Sequence, residues 1–146
     1  MRKLILAISA LAIVTSAAFA DPIADRQALM KANGKAMGAL VPITKGEKPF
    51  DAAVVLEALK TLNDDAQNLD VAVLFPAGSD TGGDTTASPK IWEDMAGFQA
   101  KVDKFKADAA AALAAPPQDA NALGATVGML GQNCGGCHEM FRIKKG

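Results

Sequence analysis

After residue 20 the apolar positions fall three and four apart in four successive stretches, the spacing of amphipathic helices that each bury one face. The first row is Ile23, Arg26, Met30, Asn33, Met37 and Leu40. Asp21 is placed to cap it, Pro22 fits the first helical position, and Pro42 is expected to stop it. The second row, Val55, Leu59, Leu62, Ala66 and Leu69, follows the turn residues Lys45 to Pro49. The third runs Ile91, Met95, Phe98, Val102, Phe105, Ala109 and Ala112, with Ser88 as expected N-cap, Pro89 at N1 and Pro116-Pro117 closing it. The fourth is Leu123, Val127, Leu130, Cys134, His138 and Phe141. Nothing reads as a strand. Phe75 to Ala87, with Pro76, Gly78, Gly82, Gly83 and Asp84, is loop chemistry and the one long connection. The expected fold is all-α, an antiparallel four-helix bundle packed at shallow angles.

The fourth row carries the chemistry. Cys134-Gly135-Gly136-Cys137-His138 holds both cysteines and the only histidine of the chain, and CxxCH is the attachment sequence of a c-type haem. Thiols at i and i+3 of a helix lie on one face, so each can add to one vinyl group of a haem held flat against it. His138, four residues after Cys134, is on the same side and can reach the iron as its proximal ligand. Three other readings compete with it. A disulfide switch would need the cysteines at a helix N-terminus in a βαβ unit, a structural zinc site would need four ligands where three exist, and chance spacing explains nothing else in the segment. One covalent haem c is therefore expected. Its attachment residues lie on the inward row, which puts the group inside the bundle. Gly131, Gly135 and Gly136 agree, because each costs a helix about 0.5–1 kcal/mol relative to alanine and a cluster suits a flat group pressed close to the backbone.

With no second histidine, bis-histidine ligation within one chain is excluded, leaving methionine, lysine, water or an open site. Met140 is too close in sequence to His138 to cross the ring, and Met129 lies nine residues, about 13 Å of helix rise, back along the same helix. Met30, Met37 and Met95 remain, and each could equally be core filler.

Residues 1–20 have the form of a cleaved signal peptide: a basic Met1-Arg2-Lys3, an apolar run from Leu4 to Ala17, and Ala18-Phe19-Ala20 as the cleavage site. The run is shorter than the roughly 20 residues of a spanning helix, so export outweighs an uncleaved anchor. The periplasm is the expected location, and residues 21–146 are long enough for one domain. Lys and Arg number 15 and Asp and Glu 16 in the whole chain, and removal of Arg2 and Lys3 leaves a net charge of −3. That balance argues against nucleic acid, and no polybasic or amphipathic tail points to a membrane surface.

Several spaced motifs carry a resemblance that spans the mature chain: the C-terminal CxxCH followed by Phe141-Arg142 and Lys144-Lys145, Lys90-Ile91-Trp92 opening the third helix, and Lys45-Gly46-Glu47-Lys48-Pro49-Phe50-Asp51 between the first two. The chain resembles the cytochrome c′ family, the class II c-type cytochromes. The resemblance implies a periplasmic four-helix bundle with the haem near one end and the proximal histidine on the last helix. It sets Arg26 beside a haem propionate and Met30, one turn later, on the distal face, where high-spin members carry an apolar or aromatic shield. Leu29-Met30-Lys31-Ala32-Asn33-Gly34 looks closer to the low-spin cytochrome c-556 type. Gln27 and Asp84 are carried over as haem-pocket neighbours, and Arg142, one helical turn after His138, is either a cation that modulates the imidazole or a plain surface cation near a helix C-terminus. The implied function is electron transfer with His138 and Met30 as axial ligands, between redox partner proteins of a respiratory or photosynthetic chain, with a homodimer possible and no enzymatic substrate. The alternative is a five-coordinate, high-spin cytochrome c′ that binds nitric oxide or carbon monoxide. A peroxidase-like enzyme lacks a distal histidine or other acid-base pair. Lys31, Lys35, Lys101 and Lys104 fit either a docking face or an ordinary solvated surface.

Overall fold

A computed structural model describes residues 21–144. The expected signal peptide lies outside them. The helices are α1 (Pro22–Thr44), α2 (Ala52–Asn68), α3 (Val71–Leu74), α4 (Lys90–Glu93), α5 (Met95–Ala114) and α6 (Ala120–Phe141). α1, α2, α5 and α6 form the bundle, each packed on the next and α6 closing back on α1. Among the described residues the only β pairing is an isolated bridge between Ala87 and Arg142, which fastens the end of the long loop to the end of α6.

Aspartates set most of the starts. Asp21, Asp51, Asp70 and Asp119 each turn a carboxylate back onto the first free N–H groups of α1, α2, α3 and α6, satisfying donors that no intrahelical carbonyl can reach. Three details differ from the sequence pattern. Pro42 does not stop α1, which continues to Thr44. In the last turn a proline forfeits one hydrogen bond only, while its own carbonyl accepts from Glu47 and Lys48; the chain turns at Gly46, where φ is +73°. The third row is two helices, since Asp94 breaks it with φ −132° and ψ 60° and its carboxylate accepts from Gly97 N–H at 3.0 Å. A β-carbon at Gly97 would run into that carboxylate, so the side chain competes with the helix for the backbone and wins locally. The short α3 had no counterpart in the pattern.

The core has two parts. One fills the end away from CxxCH and is built of Leu40 and Ile43 from α1, Val55, Leu59 and Leu62 from α2, Ala109 and Ala112 from α5, and Leu123 and Leu130 from α6. The other lies at the CxxCH end: Leu69, Val71, Leu74, Phe75, Ile91, Phe98, Val102 and Phe141, with Cys137 packed against it. Phe75, Phe98 and Phe141 stack edge to face in series, with centroids 4.7 and 5.2 Å apart. Replacing Leu40 by Ala should lower unfolding free energy by about 2–5 kcal/mol in a denaturant titration, whereas Val54→Ala, on the exposed side of α2, should stay within about 0.5 kcal/mol.

Candidate functional site

Three adjoining cavities meet at His138. The smaller, of 280 Å³, has Met30, Asn33 and Met37 of α1, Lys101 and Phe105 of α5, and Cys134 and Cys137 of α6 in its walls. A second, of 470 Å³, is bounded by Arg26, Gln27 and Met30, by Phe75, Phe98 and Phe141, by the loop residues Thr85 to Ala87, and by Cys137, His138 and Arg142. The third, of 610 Å³, opens to the surface between Gly135, His138, Glu139, Arg142 and Lys144. α6 thus turns both cysteines and the histidine into one space, as the i, i+3, i+4 spacing requires.

Both thiols are unbridged and half-buried. Burial pushes each above the usual thiol value, with the Lys101 ammonium working the other way at Cys137. A low-pKa redox dithiol shows the opposite shift. Burial first, and the Arg142 charge second, hold the His138 imidazole below its ordinary pKa, which favours the neutral form that ligates a metal. Among the described residues no cluster of three or more His, Cys, Asp or Glu side chains is arranged to hold a bare metal ion.

Arg26 lies in the wall of the larger cavity and is held by the chain itself. It is 5 % exposed, and both of its terminal nitrogens are committed to the chain: Nη1 donates to Leu74 O and Ser79 Oγ, each at 3.0 Å, and Nη2 to Ser79 O and, at 2.7 Å, to Thr85 Oγ1. The guanidinium also lies 5.1 Å from the centre of the Phe75 ring. Burial lowers its pKa, and Asp21 acts against that. Four of five N–H donors are therefore spent on Leu74 and the loop, and Arg26 clamps α1 to residues 74–85 while lining the larger cavity. Gln27 adds a bond to Gly83 O at 3.0 Å. Asp84 takes a left-handed φ of 60° between them; its neighbour Thr85, rather than Asp84 itself, is in the cavity wall.

Of the three methionines left open by sequence, Met95 packs into the second core cluster. Met37 reaches the smaller cavity, and Met30 is in the walls of both that cavity and the larger one, with 37 % of its surface exposed. Two polar residues emerge that the motif reading did not single out. Asn33 is only 7 % exposed and its Oδ1 is buried with no hydrogen-bond partner; its place in a mainly apolar row was the visible signal. Asn133, also in the wall, donates to Asp108 at 2.7 Å, and that bond, ahead of Lys104, holds the Asp108 carboxyl below its usual value.

The donor set and the space fit a covalent haem. Two thiols and an imidazole share one helix face, a methionine stands in the same walls, and the β-carbon positions of Gly131 and Gly135 have no atom within 4 Å, leaving room for a flat group against the helix. A four-helix bundle bearing one haem c attachment sequence on its last helix defines a class II c-type cytochrome.

Comparison with known proteins agrees. The family model described as Cytochrome C′ matches residues 21–142. A cytochrome c-556 of Agrobacterium fabrum is 43 % identical over 126 residues, covering 86 % of this chain and 84 % of that one. A cytochrome c′ of Rhodopseudomonas palustris is 46 % identical over 127 residues, again 86 % and 84 % of the two chains. A solved cytochrome c′ structure from R. palustris superposes with a TM-score of 0.80 at 44 % identity, covering 87 % of this chain and 99 % of that one. The chain belongs to the cytochrome c′ family and, with it, binds a single covalently attached haem c.

Converting Arg26 to Lys keeps a charge but not the fork. Amide exchange at Ser79, Thr85 and Ala87 should then quicken by about tenfold or more, the equivalent of one lost hydrogen bond of roughly 1.4 kcal/mol, with α2 unchanged. Equal rates in both proteins would refute the clamp.

Proposed function

We propose that this protein is a periplasmic electron carrier whose haem is held by thioethers from Cys134 and Cys137, with His138 as proximal ligand and Met30 as the distal one. The observation that carries the reading is that Met30 alone among the methionines shares the walls of both inner cavities with Cys137 and His138. The bound haem supplies a one-electron ferric/ferrous couple. The chain supplies the rest. His138, held neutral by burial, presents a lone pair without first losing a proton, and the thioether of Met30 carries no charge in either oxidation state. The ligands would then move no proton when the electron moves. A soft sulfur donor favours ferrous iron and raises the potential, and a filled sixth position leaves no place for a substrate. Phe75, Phe98 and Phe141 form a rigid apolar wall that excludes water from one side.

Relatives of both names, c-556 and c′, match at similar identity, so the distal ligand is the point to test. The purified ferric protein should show the far-red sulfur-to-iron band, and its ferrous form should not take up carbon monoxide. Met30→Ala should abolish the band, admit carbon monoxide and lower the potential; Met37→Ala should do none of these. A high-spin ferric spectrum with ready carbon monoxide uptake in the unaltered protein would instead establish the five-coordinate, gas-binding form.

Residues 1–20 we read as the export signal, a reading supported by a family match and a helix cap that both begin at Asp21. Among the described residues no helix is long and apolar enough to cross a membrane. The mass of the mature protein, recovered from the periplasm, should correspond to residues 21–146 plus one haem; retention of residues 1–20 would contradict cleavage.

A further inference from the structure

Charge is distributed unevenly around the site. Lys31 and Arg142 border the larger inner cavity, Lys101 the smaller, and Arg142 and Lys144 the outer one; among the described residues in those walls, Glu139 is the one carboxylate. Lys31, Arg142 and Lys144 are exposed and Lys101 is half-buried. None of the four has an ion-pair partner among the described residues, whereas Lys60 and Lys104 are tied to Asp64 and Asp108. The other residues of 21–146 comprise nine Lys or Arg and fifteen Asp or Glu. The mouth is therefore a cationic patch on an anionic molecule. Met140 and Ile143, 38 and 48 % exposed, adjoin Glu139 and Arg142 in sequence and supply apolar area beside it.

We propose that this mouth is the docking surface for a redox protein whose own electron-transfer face is acidic. The inference rests on the reading that the haem lies at His138, but not on which group fills the sixth position. Carrier encounters must be fast and brief, and a local field of opposite sign speeds association without a large interface. An anionic bilayer is the poorer occupant, because four dispersed cations are no polybasic segment and the rest of the surface would be repelled.

The test follows stopped-flow oxidation of the reduced holoprotein by hexacyanoferrate(III), a trianion that takes one electron and becomes hexacyanoferrate(II). On net charge alone its rate would rise with added salt. The proposal requires it to fall between about 10 and 200 mM salt, as screening removes the local attraction, and requires tris(phenanthroline)cobalt(III), a trication, to show the opposite slope. Lys31→Glu and Lys101→Glu should each cut the low-salt hexacyanoferrate rate several-fold, by roughly tenfold together, while Lys60→Glu, the same change in net charge on α2, shifts it less than twofold. Polyglutamate should inhibit the reaction and polylysine should not. The sulfur-to-iron band, recorded on every variant, reports ligation separately, so failure of the Met30 reading would be seen as such. A hexacyanoferrate rate that rises with salt, a Lys60→Glu effect equal to the others, or cosedimentation with phosphatidylglycerol vesicles in place of polyglutamate inhibition would overturn the proposal.

Discussion

The site end of the bundle depends on one buried cation. Arg26 has left water, and a guanidinium that does so must find its hydrogen bonds inside the protein or destabilise it. It finds them on Leu74, Ser79 and Thr85, residues 48 to 59 positions away. Because the acceptors lie on the last residue of α3 and on the loop that follows, and the donor on α1, satisfying the charge fixes the loop across the end of α1. The wall of the larger cavity follows, as does the seating of Phe75 against Phe98. Trp92 reinforces it from the other side by donating to Phe75 O and Pro76 O at 3.1 and 3.2 Å.

That arrangement divides the molecule. Away from CxxCH the four helices interdigitate through leucine, isoleucine, valine and alanine, and side chains such as Leu40, Leu62, Leu123 and Leu130 are fully enclosed. Toward CxxCH Phe98 and Val102 keep α5 apolar, while the inward positions of α1 and α6 change to Arg26, Met30, Asn33, Cys134 and His138. Each has a polar or polarisable atom that an aliphatic core would strand. The closely packed half can hold the bundle together, leaving the other half free to be shaped around a cofactor.

How much of this was legible follows from how far apart the interacting parts lie in sequence. The four rows and the CxxCH face are local repeats, so the bundle and the convergence of Cys134, Cys137 and His138 could be read directly. Asp94 was missed because its carboxylate interrupts a helix whose apolar spacing continues unbroken through Ile91, Met95 and Phe98. Pro42 misled because the cost of a proline depends on how many turns follow it, and here there is less than one. The partners of Arg26 were illegible for another reason. Two of its acceptors are backbone carbonyls, which carry no residue signature, and the family resemblance spoke only of a haem neighbour.

Charge placement links the fold to the proposed chemistry. The walls around His138 are mainly apolar, and the one buried cation there, Arg26, is already occupied by neutral dipoles. The unpaired charges stand at the rim. A neutral imidazole and a neutral thioether inside such walls would leave the change in iron charge as the main electrostatic event of electron transfer, with little for the interior to rearrange. Cations at the rim act at longer range, on the approach of a partner, and they can do so without moving. The same separation explains why an acidic protein can present a basic face: the carboxylates cap helices and coat α2 and α5, and among the described residues Glu139 is the single carboxylate in the cavity walls.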